Sequence, residues 1–168
     1  MKPLILILIL FGIINPLQSQ NEIASVSLTE TMHVKHSKKA NNSQYLESIS
    51  KPNIAVKIKK LQSIAANYNI KTNKIYSKNK STNYTVVFKE GDNTITTVYN
   101  NNGVILNSSE HYKSIRLPYN MSYKLSKSYP GWEFNKVSCN LNYEKNSDSK
   151  IVYQVVLKKG NKRKTLHI

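Results

Sequence analysis

The spacing of apolar residues changes along the chain from helical steps to strict alternation, and each change predicts a new element. From Pro52 to Asn69 the apolar residues recur at three- and four-residue steps, which places them on one stripe of a helix. The residues of this stripe are Ile54, Ile58, Leu61, Ala65 and Tyr68. Pro52 suits the first turn of that helix, and Ser50 is its expected N-cap.

Strict alternation follows and predicts an antiparallel group of strands. In Tyr84–Lys89, aromatic and aliphatic side chains occupy every second position and therefore share one face. The next residues, Glu90–Asn93, are of the types that form a hairpin turn. The return strand is Thr94–Tyr99, which is rich in β-branched and aromatic residues. A second turn at Asn100–Gly103 precedes one more strand.

The same order of helix and strands is predicted again nearer the C-terminus. A helix opens at Leu117-Pro118, because three apolar residues then repeat at four-residue steps. These residues are Met121, Leu125 and Tyr129. A strand follows in which Val137, Cys139, Leu141 and Tyr143 alternate with polar residues. A polar hairpin loop at Glu144–Lys150 connects it to the final strands, which run to Ile168.

A sharp corner joins the second helix to its strand. Pro130 cannot continue the helix, and Gly131 permits the backbone to reverse. Trp132 and Phe134 follow at alternate positions, so they are expected to share a face and pack over the helix end. We interpret Trp132 as corner or core packing. The alternative is a partly exposed anchor for a binding partner.

The two halves match in sequence, which indicates an internal duplication. The segment Tyr84–Gly91 aligns with Tyr153–Gly160 around a shared Tyr-x-Val-Val pattern and a closing glycine. We therefore predict an α+β fold of two tandem units, each a helix packed on an antiparallel sheet. The first unit spans residues 51–110 and the second spans residues 111–168. The second lacks the Asn-Gly turn and further strand that close the first.

The corner and the last strands carry a resemblance to a known family. The residues are Leu117-Pro118, Tyr129-Pro130-Gly131-Trp132, Tyr153-x-Val155-x-Leu157 and Lys159-Gly160. With these motifs the chain resembles the PepSY-like family of small exported bacterial proteins, also described as beta-lactamase-inhibitor-like. The resemblance covers roughly residues 51–168 and is looser in the first unit. It implies export, tandem α+β units, and a protein-binding or inhibitory role without an established enzyme activity.

The N-terminal residues predict a secretory signal peptide. Lys2 is followed by the apolar run Leu4–Ile14, and Asn15-Pro16 ends that run. Cleavage is expected near Ser19/Gln20, so residues 1–20 are the signal peptide; the alternative is an uncleaved membrane anchor. The run is shorter than the roughly 20 residues that span a bilayer. We expect a periplasmic or secreted protein.

Residues 21–50 form a polar N-terminal segment. Alternate apolar positions from Val26 to Val34 predict one short strand, and His36–Ser43 is interpreted as a solvated linker. No later segment has enough consecutive apolar residues for a transmembrane helix. The mature chain is therefore predicted to have no span of the membrane.

Charge and cysteine content narrow the function classes. The formal net charge is +16, almost entirely from lysine, with Arg116 and Arg163 as the only arginines. This charge favours anionic partners, although abundant Lys, Asn and Ile are also what AT-rich coding produces without selection for a ligand. The single cysteine, Cys139, excludes an internal disulfide. Export removes most nucleic acid from reach, so we do not expect a nucleic-acid partner.

We find no residues in the sequence that form a catalytic, metal or cofactor site. His33 and His36 have a spacing that can bind a metal, but a solvated pair is favoured because no Cys, Asp or Glu cluster accompanies them. Cys139 lies on the apolar alternation of its strand, which favours a buried thiol over a nucleophile. No phosphate-binding glycine loop occurs. We therefore expect no enzyme activity and no cofactor.

These observations favour an exported, non-enzymatic binding module whose partner is an envelope or secreted protein. The alternative is a cationic surface protein that binds lipopolysaccharide or another anionic polymer through lysines. The best candidate for an anionic-partner site is a basic cluster in the last hairpin, although a solvated hairpin tip is favoured there. The basic cluster consists of Lys158, Lys159, Lys162, Arg163 and Lys164.

The predicted cleavage of the signal peptide can be tested directly. The exported protein is expected to begin at Gln20 or Asn21, because small and polar residues after the apolar run mark a cleavage site. Intact mass spectrometry of the exported chain measures this. A mass that retains Met1 contradicts the prediction.

Overall fold

The computed structural model describes residues 22–27, 41–50, 56–78 and 82–168. The predicted signal peptide, the histidine pair His33 and His36, and the predicted helix start at Ser50–Pro52 fall wholly or partly outside these ranges. Within them, Ser50 is the C-cap of a preceding helix, and its N–H donates to the carbonyl oxygen of Glu47 at 3.3 Å.

The described part of the chain is a mixed α+β structure with three α-helices and seven strands. In chain order the elements are β1 (Glu22–Ser27), α1 (Ser43–Ile49), α2 (Val56–Asn67), β2 (Tyr84–Glu90), β3 (Asn93–Tyr99), β4 (Ile105–Lys113), α3 (Tyr119–Ser128), β5 (Glu133–Glu144), β6 (Lys150–Lys159) and β7 (Lys162–His167). A single turn of 3₁₀-helix, Ile70–Thr72, follows α2. The class is the predicted α+β.

All seven strands join one sheet, in the same order as they occur along the chain. β1 pairs with β2 in parallel, and every later pair is antiparallel. We expected a sheet for each of two units, but β4 pairs with β5 from Asn107↔Glu144 to Lys113↔Ser138 and so connects them. β4 also runs across the predicted boundary at residues 110/111.

One face of the sheet is covered by helices, and the hydrophobic core lies in that space. Alternate side chains of β2, β3 and β6 point into it, because successive residues of a strand project to opposite faces. α2 packs over β2 and β3, while α1 contacts β5. The largest fully buried side chains are Tyr45, Tyr84, Tyr99, Tyr112, Phe88, Ile49, Ile58, Leu61, Ile70, Ile95, Ile105 and Leu141.

The predicted stripe of α2 is confirmed where the structure describes it. Ile58, Leu61 and Ala65 are each fully buried, and the ring of Tyr68 packs edge-on against Phe88 with centroids 5.2 Å apart. Helix α1 falls where we expected linker and the end of the polar segment. Its seven residues contain only one buried pair at helical spacing, Tyr45 and Ile49, which is too short a pattern to predict a helix.

The predicted corner after α3 is confirmed. The helix ends at Ser128, Gly131 adopts a φ of 75°, and the N–H of Trp132 donates to the carbonyl oxygen of Tyr129 at 3.2 Å. Trp132 is half-buried and packs against the core. Phe134 is 39% exposed. The corner therefore gives Trp132 packing contacts, and the alternative of a partly exposed anchor stays a prediction.

The burial of two isoleucines in this sheet predicts that replacing each with alanine changes the free energy of unfolding by very different amounts. Ile95 in β3 is fully buried, whereas Ile23 in β1 is 70% exposed. We expect Ile95→Ala to lower the free energy of unfolding by about 2–5 kcal/mol. Ile23→Ala is the matched control, expected to change it by no more than about 0.5 kcal/mol. Urea unfolding followed by tryptophan fluorescence measures both, and equal losses would contradict the assigned faces of the sheet.

Candidate functional site

The centre of the covered face holds a carboxyl group, Glu110 of β4, that is 2% exposed. Its Oε1 atom accepts hydrogen bonds from Tyr45 Oη at 2.6 Å and Ser108 Oγ at 3.0 Å. Its Oε2 atom accepts from Tyr112 Oη at 2.6 Å and Gln62 Nε2 at 2.8 Å. These five residues are the Glu110 cluster, which joins α1, α2 and β4.

Burial in the Glu110 cluster shifts the pKa values of its carboxyl and phenol groups. Desolvation raises the pKa of Glu110 above its ordinary value, although the four donors oppose that shift. Desolvation and the neighbouring carboxyl together raise the pKa of Tyr45 well above its ordinary value. The same two causes raise the pKa of Tyr112. Strongly shifted groups often mark functional sites, but every member of this cluster is at most 3% exposed. The cluster is therefore closed to a substrate. Its hydrogen bonds hold α1 and α2 against the sheet.

Cys139 lies next to this cluster on β5 and is 1% exposed. Burial, with a smaller contribution from the charge of Glu110, raises the pKa of its thiol to about 12. The thiolate is the nucleophilic form of cysteine, so the thiol is unreactive at neutral pH. This agrees with the interpretation of Cys139 as a buried residue.

The histidines are scattered in the part of the chain that the structure describes. His111 Nδ1 lies 2.6 Å from Asn140 Oδ1, and His167 is exposed on β7. No three His, Cys, Asp or Glu side chains come together within the described ranges. The pair His33 and His36 lies outside them.

The described side chains on the second face of the sheet are half-buried or exposed. We call it the open face. It is polar but largely uncharged near its centre. Thr96, Ser109 and Asn142 form one row across three strands, and Thr94, His111 and Asn140 form the next. Rows of hydroxyl and amide groups offer hydrogen bonds without the cost of removing a charge from water.

A groove of about 950 Å³ lies at one end of the open face, beside the connection from β4 to α3. Two backbone irregularities border it. Ser114 adopts a φ of 52° directly after β4, and a bulge between Phe134 and Lys136 bends the start of β5. The apolar part of its lining comes from Ile115, Leu117, Phe134, Val137 and Val156.

The rim of the groove is cationic. Lys113, Arg116 and Lys136 line it and are exposed, and Asp92 is the acidic residue of the lining. Ser138 and Gln154 add neutral hydrogen-bonding groups. A groove with an apolar floor, a few polar groups and a cationic rim suits a partner that combines an apolar side chain with a negative charge. The sequence did not predict this set of residues, because they come from strands, turns and a helix far apart in the chain.

The basic cluster of the last hairpin is a separate region. Its five cations are all exposed on β6 and β7. Lys164 Nζ lies 4.8 Å from the ring centroid of Tyr129, and Lys159 Nζ lies 3.5 Å from the carbonyl oxygen of Pro130. The cluster therefore borders the corner after α3.

No family model, curated protein or solved structure matches this chain in the three comparisons made. The PepSY-like resemblance therefore stays a prediction. Among the described helices, none has the length and apolar content that crossing a membrane requires.

The raised pKa of Glu110 predicts how stability depends on pH. The native pKa lies above the unfolded value of about 4.3, so the stabilisation from this group is complete below about pH 4 and is lost as the pH rises through the native pKa. Glu110→Gln cannot titrate and cannot accept from all four donors, so it is expected to cost about 1–3 kcal/mol at low pH. That cost should become smaller toward neutral pH.

Urea unfolding of the wild type and Glu110→Gln across this pH range measures the difference. Glu144→Gln, which removes an exposed carboxyl group on β5, is the control and is expected to change the free energy of unfolding little. A cost of Glu110→Gln that grows as the pH rises would contradict the prediction, since it would mean that the four donors lower the native pKa.

Proposed function

We propose that this protein is an exported, non-enzymatic binding module that holds a protein partner against the open face of its sheet. The observation that carries the proposal is the groove of about 950 Å³ at one end of the open face, lined by side chains of β4, β5 and β6 and by Ser122 of α3. Grooves of this size, with apolar and polar groups together, are typical of binding sites. The predicted signal peptide supports export, and the partner is then an envelope or secreted protein.

The location of the shifted acid–base groups supports binding rather than catalysis. The carboxyl, thiol and phenol groups with raised pKa values, Glu110 and Cys139 among them, project to the covered face and not into the groove. An active site needs such groups within reach of a substrate. The groove lining instead offers cations and neutral hydrogen-bonding groups around an apolar floor.

The tandem-unit arrangement and the PepSY-like resemblance form part of this proposal. The β2–β3 and β6–β7 hairpins both turn at a glycine with a φ of 57°, Gly91 and Gly160. In both, the aligned tyrosine and valine point into the core: Tyr84 and Val86 in β2, and Tyr153 and Val155 in β6. Matched burial and matched turns support a duplication whose two products share one sheet.

The alternative function, binding of an anionic polymer through lysines, has its own support. The chain carries a net charge of +16, and among the described side chains the ion pair is Lys60 with Glu90 at 3.0 Å. The exposed basic cluster and the groove rim therefore hold positive charge without carboxylate partners within the described ranges. Such binding weakens steeply with salt, because exposed charges are screened over about 3 Å at 1 M ionic strength.

A pull-down with the mature chain from envelope extract, at physiological and then high salt, separates the two functions. A specific protein partner is expected to remain at both salts. Val156→Arg places a long side chain in the groove and adds a charge, so it should weaken binding of the partner by about tenfold or more. The same variant should bind an anionic polymer at least as well as the wild type.

Gln44→Arg is the matched control, because it adds the same charge at an exposed position of α1, which lies over the covered face of the sheet. It should leave the partner bound. Unfolding midpoints of both variants check that they fold. Equal partner binding by both variants would contradict the assignment to the groove, and recovery of only diffuse acidic material that is lost at high salt would favour the alternative function.

A further inference from the structure

β7 is the last strand in the order of the sheet, so one of its two sides has no strand beside it among the described elements. We call this side the β7 edge. The opposite side pairs with β6 over the whole strand, from Lys159↔Lys162 to Gln154↔His167. A strand at the end of a sheet presents unpaired backbone N–H and C=O groups, which can pair with another extended chain.

The hydrogen-bond pattern identifies the residues that present those groups. Tyr153 and Ile168 exchange two backbone hydrogen bonds, at 2.8 and 3.0 Å. In an antiparallel pair, residues that exchange bonds alternate with residues whose backbone groups point away from the partner strand. Lys162, Lys164 and Leu166 therefore bond to β6. Arg163, Thr165 and His167 direct their N–H and C=O groups outward.

The same edge is strongly basic. Lys162, Arg163 and Lys164 are consecutive and exposed, and Lys158 and Lys159 lie opposite them on β6. The acidic residue nearest in register is Glu133, which pairs with Lys158. Toward the end of the strand the side chains become apolar, since Leu166 is half-buried against the core and Ile168 is 41% exposed.

We propose that the β7 edge accepts an extended, acidic segment of a partner protein as an additional strand. Strand addition supplies affinity through backbone hydrogen bonds to Arg163, Thr165 and His167, and side chains supply the selectivity. Acidic side chains of the segment lie beside the three consecutive cations, and an apolar side chain lies beside Leu166. This inference goes beyond the groove and does not require it, because the outward groups of β7 belong to the edge of the sheet and not to its face.

Charge decides between an acidic segment and a second copy of this chain. Two copies paired edge to edge would bring the two basic strands together, and like charges on neighbouring strands destabilise pairing. Lysines on an edge strand are a common means of preventing such self-association. An acidic strand reverses the sign of that interaction and makes the same residues attractive.

The experiment uses the mature chain and a capped peptide of about seven residues, a typical strand length, that carries three consecutive glutamates followed by valines. Binding is measured by titration, and the affected residues by amide hydrogen exchange. We expect the amides of Arg163, Thr165 and His167 to become protected. Thr165→Pro removes one outward N–H group without removing an N–H that bonds to β6, so it should weaken binding by about tenfold or more.

The controls separate strand addition from attraction between charges. Thr165→Ala keeps the N–H group and should bind within about twofold of the wild type. A peptide of the same sequence with N-methyl groups on alternate residues keeps its charge but cannot form the ladder, and it should not bind. Equal binding of the methylated peptide, or equal binding by Thr165→Pro, would overturn the proposal. Protection of the three amides by self-association, without peptide, would also overturn it.

Discussion

The buried carboxyl group of Glu110 is the constraint on which the arrangement of this protein depends. A carboxyl group removed from water is costly unless donors surround it, and here the donors come from α1, α2 and β4 itself. The helices therefore cannot shift along the sheet without leaving polar groups unpaired in the core. A purely apolar interface would allow such sliding more readily, because dispersion contacts are not directional.

A second buried polar residue, Asn42, fixes the ends of the helices and the turn before β4 relative to one another. The Asn42 amide donates to the carbonyl oxygens of Ala66 and Gly103 and accepts from the N–H of Ile105. It thereby joins the start of α1, the end of α2 and the turn before β4. With α1 and α2 fixed on one side, the hydroxyl and amide rows on the other side of the sheet remain half-buried or exposed.

The elements with long periodic patterns could be predicted from the sequence, and those defined by distant contacts could not. The stripe of α2, the hairpin at Gly91 and the corner at Gly131 each follow from local residue types, and the structure has all three. Helix α1 was missed because its apolar pattern covers barely two turns. The pairing of all strands into one sheet was missed because an alternating strand does not specify its neighbour.

Glu110 was the least predictable residue. The segment Ser108–Lys113 has the polar composition of an exposed strand, yet Ser108, Glu110 and Tyr112 face the core. An irregularity opposite Val98 and Tyr99 changes which positions of β4 point inward, so the apolar residues Val104–Leu106 give the wrong phase for the rest of the strand. The groove could not be predicted for a related reason, since its lining comes from three strands, the β2–β3 turn, the β4–α3 connection and helix α3.

The parallel pairing of β1 has a consequence for the order in which the sheet forms. Each antiparallel pair joins neighbours in the chain, so most of the sheet can grow by local steps, which fold rapidly. β1 instead meets β2 across about 60 intervening positions, from Glu22 to Tyr84, and closing so long a loop costs entropy before any contact compensates for it. We therefore expect β1 to pair with β2 only after the other six strands have formed their sheet. The first strand in the sequence is then the last to enter the sheet.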